Sequence, residues 1–429
     1  MFRRINQAQV QTRRAAIHGA EATLCHEAPA PRAKGPRCRD NFPGVPVNSR
    51  GEFCQRTVSP RTASDSPALA TGPADRLPTR RSGTGSPPAR QARDAASRFA
   101  AALLLLALAL TAPAQPFQLP TANRALFEPG GEERFLVGTA GKPWTSGGFG
   151  CVRSEGNQMH EGLDIRCLQR SRRGEPTDPI LATAAGTVAY INPKGGLSNY
   201  GKYVVVCHRV EGIEVYSLYA HLSEVRPDLR VGMTVRAGEP IAVMGTTSNT
   251  RERITKDRAH VHFELNLMVN DRFGLWFKQT HPGERNDHGT YNGHNLLGLD
   301  PRLLLLQQQS QGARFSLLQF LRGQPELCRV LVRGVHYPWL SRYAALIVPN
   351  PRLGAQPPAG YELVLNYNGV PCQMIPRSAA ELGGAGKYHL LSVNAAEAQR
   401  NGCRRLVMQH GNTWLLSTHG QELLEMLTY

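Results

Sequence analysis

This 429-residue sequence has no long amphipathic helical pattern and no apolar run long enough to span a membrane. Its N-terminal part also has few of the residues that form a hydrophobic core. The apolar segments after residue 115 are not separated by long helical patterns, which favours an antiparallel β-rich fold. The apolar run from Phe99 to about Leu110 is shorter than the ~20 residues that a membrane-spanning helix needs. Residues 1–97 contain few aromatic or β-branched residues, so we expect a disordered basic extension there.

The charge of the chain is unevenly placed. The formal net charge is +17, but residues 1–114 hold 17 Lys and Arg against 7 Asp and Glu, a net +10, which leaves +7 for the rest. Most of the basic excess therefore lies outside the part that we expect to fold. We accordingly expect no nucleic-acid partner, although high net charge can indicate one.

Residues 98–114 have the pattern of a secretory signal peptide. A basic residue precedes the apolar run, and Ala112-Pro113-Ala114 is a small-x-small cleavage pattern, so we expect cleavage after Ala114. No cysteine follows directly, which argues against a lipoprotein anchor. The alternative is an uncut membrane-anchoring or buried helix, the only way in which we expect the chain to meet a membrane. Because signals normally begin a chain, a start codon assigned too early is one interpretation of residues 1–97.

Export would place the later cysteines in an oxidising compartment. Six follow Ala114, namely Cys151, Cys167, Cys207, Cys328, Cys372 and Cys403. We expect one disulfide between the first two of these and another within the last three, whereas Cys207 suits a core position.

The exported part divides into a β-rich domain, residues 115–310, and a small α+β domain of no assigned role, residues 315–429. Five strand-type segments bounded by Gly, Pro, Asn or Asp occur up to residue 269, with a hairpin turn at residues 209–212. We expect His208 to lie at the end of a strand. Residues 270–300 are polar and contain three histidines, so we expect a solvated loop. The leucine-rich segment after Pro301 predicts a short core helix.

The stretch "RAHVHFELNLMV", residues 258–269, carries a possible metal site. In a strand, His260, His262, Glu264 and Asn266 share one face and the apolar residues share the other. Two histidines need further ligands to form a metal site, and "MHEGLDI" offers His160 and Asp164, whose even separation lets both point one way on an extended segment. Three such ligands with one open position are typical of a catalytic zinc site.

The order of the motifs is similar to that of the LytM/lysostaphin-type zinc endopeptidases. The matching pieces, within a motif core of residues 143–270, are H-x-G-x-D (His160, Gly162, Asp164), Y-A-H-L (Tyr219–Leu222), G-x-x-V-x-x-G-x-x-I (Gly232–Ile241) and H-x-H-F-E (His260–Glu264). The stretch "SGGFGCVR", residues 146–153, looks like the family's F-G-x-R with one more residue before the arginine.

This resemblance implies roles for five residues. His160, Asp164 and His262 would bind one Zn²⁺, and His221 and His260 would be catalytic. The chain has no H-E-x-x-H motif, hence no glutamate base of that type, so proton transfer would fall to the two histidines. The implied substrate is the peptide part of peptidoglycan, and the implied location is the periplasm or cell envelope, or outside the cell.

The sequence departs from the family pattern in two places, and two other functions are alternatives to the zinc peptidase. The segment before the H-x-H strand, "TTSNTRERITKDRA", is longer and more charged than the family's, and the stretch after the strand is also long, so specificity cannot be transferred. One rival is a non-haem iron enzyme, because two histidines and a carboxylate also form its facial triad. The other is a non-enzymatic LytM-like regulator of a wall hydrolase. His281, His288 and His294 have spacings that fit no known metal-ligand pattern, which favours a solvated loop.

Overall fold

The structure is a computed structural model that describes residues 116–384 and 386–429. The predicted extension, residues 1–97, and the predicted signal peptide, residues 98–114, lie outside the described residues. Within the described part, no helix is both long enough and apolar enough to cross a membrane.

Antiparallel strands dominate the described chain, which confirms the predicted mainly β fold. The strands are β1 Gly150–Arg153, β2 Gln158–His160, β3 Leu163–Arg166, β4 Pro179–Leu181, β5 Gly186–Asn192, β6 Tyr203–Val210, β7 Ile213–Ala220, β8 Leu222–Val225, β9 Thr234–Val235, β10 Pro240–Met244, β11 His260–Met268, β12 Leu296–Leu299, β13 Cys328–Arg333, β14 Gly360–Leu365, β15 Pro371–Arg377, β16 Tyr388–Val393, β17 Val407–His410 and β18 Thr413–Leu416.

The helices are short and lie mostly in the second half of the chain. They are α1 Glu132–Phe135, α2 Phe273–Thr280, α3 Pro301–Gln311, α4 Leu317–Arg322, α5 Pro338–Arg342, α6 Ala379–Leu382, α7 Ala395–Arg400 and α8 Thr418–Leu427. The core helix predicted after Pro301 is α3. Asp300 begins it, because its carboxylate accepts hydrogen bonds from the backbone N–H groups of Arg302 and Leu303.

The largest sheet has the order β12-β11-β7-β6-β5-β9, and β3 pairs with β11 on the same edge as β12. Strands β6 and β7 are joined by the predicted hairpin, with Glu211 and Gly212 both at positive φ. A three-stranded sheet, β4-β10-β8, lies beside it, and β1 and β2 form a separate hairpin. The C-terminal region contains the sheet β15-β14-β13-β16 and the hairpin β17-β18.

One cluster of buried apolar residues joins the regions predicted to be two domains. It contains Phe263 and Leu265 of β11 together with Val330 of β13, Leu363 of β14 and Leu424 of α8. The boundary near residue 310 remains a prediction, because no gap in this core marks it.

Two expectations about residues 270–300 and His208 are wrong. The expected loop contains α2, whose Phe273 and Trp276 are buried, and β12, which pairs with β11. His208, expected at a strand end, lies inside β6 and is 1% exposed. Apolar packing explains the buried side of α2, and strand pairing explains the buried position of His208.

The predicted disulfide pairing is also wrong. Cys151 pairs with Cys403, 252 residues away, whereas Cys167, Cys328 and Cys372 are free and buried. Cys167 instead lies with its sulfur 3.1 Å from a carboxylate oxygen of Asp178. The C-terminal chain returns to the β1–β2 hairpin, and no cysteine spacing in the sequence indicates this return.

Candidate metal centre

Three donor atoms of the predicted ligands converge at one end of β11. His160 Nε2 lies 3.0 Å from His262 Nδ1 and 3.2 Å from Asp164 Oδ1. The distance from His262 Nδ1 to Asp164 Oδ1 is 3.1 Å. All three residues are buried, and they are the only group of this kind that could hold a metal ion within the described residues.

Strand register produces this arrangement. Asp164 of β3 stands directly opposite His262 of β11 in an antiparallel pair, which puts both side chains on one face of the sheet. Between the two ligands of the H-x-G-x-D motif, the backbone passes so close to β11 that a Cβ on Gly162 would lie 2.4 Å from the carbonyl oxygen of Phe263. The motif therefore needs glycine there for space.

Hydrogen bonds outside the cluster orient the two ligand histidines. His160 Nδ1 lies 2.6 Å from the carbonyl oxygen of Gly148, so Nδ1 donates and Nε2 keeps its lone pair towards the cluster. His262 Nε2 donates to Glu264 Oε1 at 2.7 Å, which directs Nδ1 inward. Glu264 also accepts from Asn266 at 2.8 Å, so three successive polar residues of this face form one network.

Arg153 of β1 is the cation nearest the cluster. Its Nη2 donates to Asp164 Oδ2 at 2.6 Å and lies 2.8 Å from His160 Nε2. Burial would raise the pKa of Asp164, but charge on His160, His260 and Arg153 holds it well below its usual range. Asp164 is therefore ionised and offers Oδ1 as an acceptor that Arg153 does not occupy.

The pKa of His262 is shifted upward, whereas the pKa values of the neighbouring histidines are shifted downward. Burial lowers it, but hydrogen bonds and charge from Asp164 and Glu264 prevail and raise it to about 9. Burial lowers the pKa of His160, against the opposing influence of Asp164. The two ligand histidines are thus held in different electrostatic environments by two carboxylates.

The two histidines predicted to be catalytic stand next to the cluster. The rings of His221 and His260 are 4.9 Å apart, and the ring of His221 is 5.9 Å from that of His262. His221 Nδ1 donates to the carbonyl oxygen of Thr247 at 2.9 Å, and His260 Nδ1 donates to that of Arg258 at 2.7 Å. Each ring is therefore left with an unprotonated Nε2.

Both of these histidines are neutral at pH 7. Burial, together with charge on His260 and His262, lowers the pKa of His221 well below its usual value. Burial also lowers the pKa of His260, although Asp164, whose Oδ1 lies 3.5 Å from His260 Nε2, opposes this. Neutral imidazoles with a free nitrogen can accept a proton near neutral pH.

His221 adopts a backbone conformation that is costly for a residue other than glycine. It lies between β7 and β8 with φ of 61°, and its N–H donates to the carbonyl oxygen of Tyr200 at 2.9 Å. Such a conformation persists only where the surrounding structure enforces it. Here it turns the ring towards the cluster at the end of a strand.

An aromatic wall, which sequence reasoning missed, extends from the cluster along the sheet. The ring of Tyr200 is 5.7 Å from that of His262 and 5.3 Å from that of Tyr203, and Tyr190 contacts Tyr203 and Tyr291 at 5.3 Å each. Tyr291 belongs to the 270–300 segment, which therefore covers part of this face. Closely spaced tyrosines in β5, β6 and the preceding loop were the available signal.

The three histidines of residues 270–300 do not form a second site. His281 Nε2 pairs with Glu422 at 3.3 Å, and His288 Nδ1 lies 3.1 Å from the Tyr190 hydroxyl. The rings of His281 and His294 are 6.4 Å apart. The structure thus brings together the five predicted site residues and keeps these three apart from them.

Comparison with known proteins gives a family for the part of the chain that holds the cluster. The sequence model of Peptidase family M23 matches residues 158–272. A lipoprotein NlpD/LppB homolog of Pseudomonas aeruginosa is 33% identical over 128 residues, which are 29% of this chain and 35% of that protein. The chain thus spans about a third of the length of this relative.

Two solved structures of similar proteins match a comparable share of the chain. The catalytic domain of the antimicrobial peptidase lysostaphin from Staphylococcus simulans is 21% identical, over 37% of this chain and 89% of that one, with a TM-score of 0.23. A zinc containing peptidase from Vibrio cholerae is 25% identical, over 25% of this chain and 26% of that one, with a TM-score of 0.19. Scores this low add no argument to the sequence match. Residues 158–272, which hold the three predicted ligands, thus match Peptidase family M23.

Proposed function

We propose that the protein is an exported zinc metalloendopeptidase that hydrolyses peptide bonds of cell-wall peptidoglycan. The observation that carries the proposal is the convergence of His160 Nε2, Asp164 Oδ1 and His262 Nδ1 at 3.0–3.2 Å from one another. Two neutral histidines beside these atoms supply the acid-base groups that peptide hydrolysis needs.

The donor set fits zinc in chemistry and in spacing. Zinc takes imidazole nitrogen and carboxylate oxygen at about 2.0–2.1 Å in tetrahedral sites, so two ligands of one ion lie roughly 3.3 Å apart. The three measured separations, 3.0, 3.1 and 3.2 Å, are close to this value. Arg153 would give up its contact with His160 Nε2 and keep its bond to Asp164 Oδ2.

The three ligands and the two flanking histidines would have separate roles in hydrolysis. A zinc ion held by the three ligands would supply an activated water and polarise the scissile carbonyl. His221 and His260 present unprotonated Nε2 atoms that can take up and return a proton, while their Nδ1 atoms stay tied to backbone carbonyls. Fixed rings of this kind need little reorganisation during proton transfer.

The substrate class and the location rest on the family and on charge. The similar Pseudomonas aeruginosa protein is called a lipoprotein, which supports a place in the cell envelope. The net charge of +7 after residue 114 suits an anionic polymer such as peptidoglycan. We infer that the protein meets peptidoglycan peptides in the periplasm or elsewhere in the envelope.

A non-enzymatic regulator is the second candidate function. The similar lipoprotein is matched over only 35% of its length, so the match alone does not decide between an enzyme and a regulator. A regulator of this kind has no need to preserve ligands and both flanking histidines, whereas this chain holds all five around one point, four of them buried and His221 half-buried. A non-haem iron enzyme uses the same ligand types, and the metal bound by the purified protein distinguishes it from a zinc enzyme.

Two single substitutions test the assignment. His262→Ala removes a ligand, so we expect loss of bound zinc and of peptide release from purified peptidoglycan. His221→Ala leaves the ligands intact, so we expect wild-type zinc content and at least a 100-fold loss of activity, the usual size of an acid-base contribution. Zinc is measured by elemental analysis, and released peptides are measured by mass spectrometry with and without a chelator.

The outcomes separate the candidates. Wild-type zinc content in His262→Ala would refute the ligand assignment. Zinc-loaded wild-type protein that releases nothing from any wall preparation would favour the regulator. Iron in place of zinc would favour the oxygenase type of site.

A further inference from the structure

The C-terminal region reaches back to the strand hairpin that carries the first ligand. The connection is a loop between α7 and β17, residues 401–406, whose Cys403 forms the disulfide with Cys151 of β1. The sulfur of Cys403 also lies 3.9 Å from that of Met159 in β2. Both strands of the β1–β2 hairpin thus touch this loop.

The β1–β2 hairpin holds several parts of the metal centre. His160 ends β2 and is paired with Gly150 of β1. Arg153 of β1 donates to Asp164, and Gly148, just before β1, accepts from His160 Nδ1. A displacement of this hairpin would move one ligand and the orienting groups of two.

The hairpin has little stability of its own. Its strands have four and three residues, their register is irregular, and the hairpin joins no larger sheet. Isolated two-stranded hairpins are marginal in water unless they pack against other structure. The turn between the strands also holds Ser154 and Glu155 at positive φ, which adds a local cost.

A second contact from the C-terminal region supports the same place. The Tyr367 side chain, from the β14–β15 turn, lies close to Gly150. A Cβ added to Gly150 would be 3.1 Å from the Tyr367 hydroxyl oxygen. The next residue, Asn368, donates to the carbonyl oxygen of Gly298 in β12 at 2.8 Å. The turn therefore contacts both the hairpin and the strand that borders β11.

Arg404 adds a half-buried charge to this contact. It attracts Glu161, the residue between the ligand His160 and Gly162, and also lies near Tyr367. Its Nε is buried and has no hydrogen-bond partner among the described residues. This charge directly follows Cys403 in the chain and so lies next to the disulfide.

We propose that the C-terminal region is a brace for the metal centre, in which Cys151 and Cys403 are positioning residues whose disulfide fixes the β1–β2 hairpin and His160. The inference rests on the proposed function in taking zinc as the ion. It gives residues 315–429 a role that needs no second substrate site. It also couples metal affinity to oxidation, because an external dithiol that gives up two electrons and two protons, and is itself oxidised to a disulfide, converts the Cys151–Cys403 bond into two thiols and releases the hairpin.

The test compares full-length wild type with the double variant Cys151→Ser/Cys403→Ser. Zinc affinity is measured by competition with a fluorescent zinc chelator, well below the unfolding temperature. We expect the zinc dissociation constant to rise about tenfold or more, as for lost groups that orient metal ligands.

Two controls separate a brace from general stabilisation. Val332→Ala creates a cavity in β13, in the core of the C-terminal sheet. It should lower the melting temperature and leave the zinc dissociation constant within about twofold of the wild-type value. Cys207→Ser removes an unpaired cysteine and should change neither quantity. Equal weakening of zinc binding by Val332→Ala, or wild-type affinity in the double variant, would overturn the proposal.

A readout that needs no metal keeps the brace distinct from the proposed function. Amide hydrogen exchange of residues 148–160 in chelator-treated protein should speed up in the double variant, while β6 and β7 stay protected. If the double variant does not fold, folded wild type is reduced, its thiols are blocked, and the same exchange is measured. Unchanged exchange in this segment contradicts the brace. Failure of wild type to bind zinc, with faster exchange in the variant, contradicts only the proposed function.

Discussion

At the scale of single residues, His208 makes the stability of the protein depend on pH. Its Nδ1 donates to the carbonyl oxygen of Ala185 at 2.9 Å, and its Nε2 lies 2.7 Å from the Ser217 hydroxyl. Burial lowers the pKa of this histidine to about 4. Because the unfolded chain has the ordinary value near 6.5, it binds more protons than the folded chain between pH 6.5 and pH 4.

The stabilising effect of neutral His208 is therefore complete above pH 6.5 and is lost as the pH falls towards 4. The difference between the two pKa values corresponds to about 3 kcal/mol. We expect His208→Gln to be less stable than wild type at pH 7.5 but to lose less stability on acidification. Urea unfolding at several pH values measures this. Parallel curves for the two proteins between pH 7 and pH 4 would exclude His208 as the cause.

Residue-scale reasoning from the sequence succeeded where two side chains share a strand or a short extended motif. The even spacings of His260 with His262 and of His160 with Asp164 predicted shared faces, and the structure brings all four together. His208 could not be placed in this way, because its partner Ser217 lies across a hairpin. The partner of a buried polar residue depends on register, which a single strand does not reveal.

At the scale of elements, the segment of residues 270–300 is a packed cover that the sequence did not reveal. Its polar composition predicted a loop, but Phe273, Trp276 and Phe277 bury one side of an eight-residue helix. Helices this short have little periodicity to detect. The strands, by contrast, were visible because runs of five to nine alternating or apolar residues are distinctive.

Gly293 tests the contact between this cover and the sheet. A Cβ at this position would lie 2.9 Å from the Tyr200 hydroxyl, in a wall where Tyr200 is held beside His262. We expect Gly293→Ala to destabilise the protein by about 1–3 kcal/mol, the usual effect of overpacking. The change should also alter KM for peptidoglycan fragments more than zinc content.

Gly274→Ala is the matched control, because a Cβ on this helical residue meets nothing within 4 Å. It should be neutral or stabilise by up to about 1 kcal/mol. Thermal and urea unfolding of the two variants beside wild type measure the difference. If both substitutions have the same effect on stability, residues 289–295 do not press on Tyr200 as the structure indicates.

At the scale of the whole molecule, the sequence predicted the two regions but not how they are joined. The α+β character of residues 315–429 follows from local patterns, whereas the disulfide joins residues 252 positions apart. Four of the six later cysteines are unpaired, so counting cysteines on the expectation of export predicted too many bridges. Pairing depends on where the chain returns, which only the packed core determines.

The shared core predicts that the region of residues 115–314 cannot be separated from the C-terminal region. Asn270 donates to the carbonyl oxygen of Met426 at 2.7 Å, and the N–H of Met268 donates to the Tyr343 hydroxyl at 2.8 Å. Glu211, in the β6–β7 turn, accepts from the N–H of Leu317 at the start of α4. These bonds surround one continuous apolar cluster, so a cut near residue 314 would expose core on both sides.

A fragment of residues 115–314 is therefore expected to lack a cooperative melting transition and to bind a dye specific for exposed apolar surface. The packing free energy that the cut removes is comparable with the roughly 5–15 kcal/mol that stabilises an ordinary domain, so little stability should remain. Co-expression with residues 315–429 should restore solubility and cooperative melting, because the two halves of the core can reassemble and Cys151 can meet Cys403. If the shorter fragment alone melts at the wild-type temperature and keeps its zinc affinity, the C-terminal region is a separate domain and not part of the core that supports the metal centre.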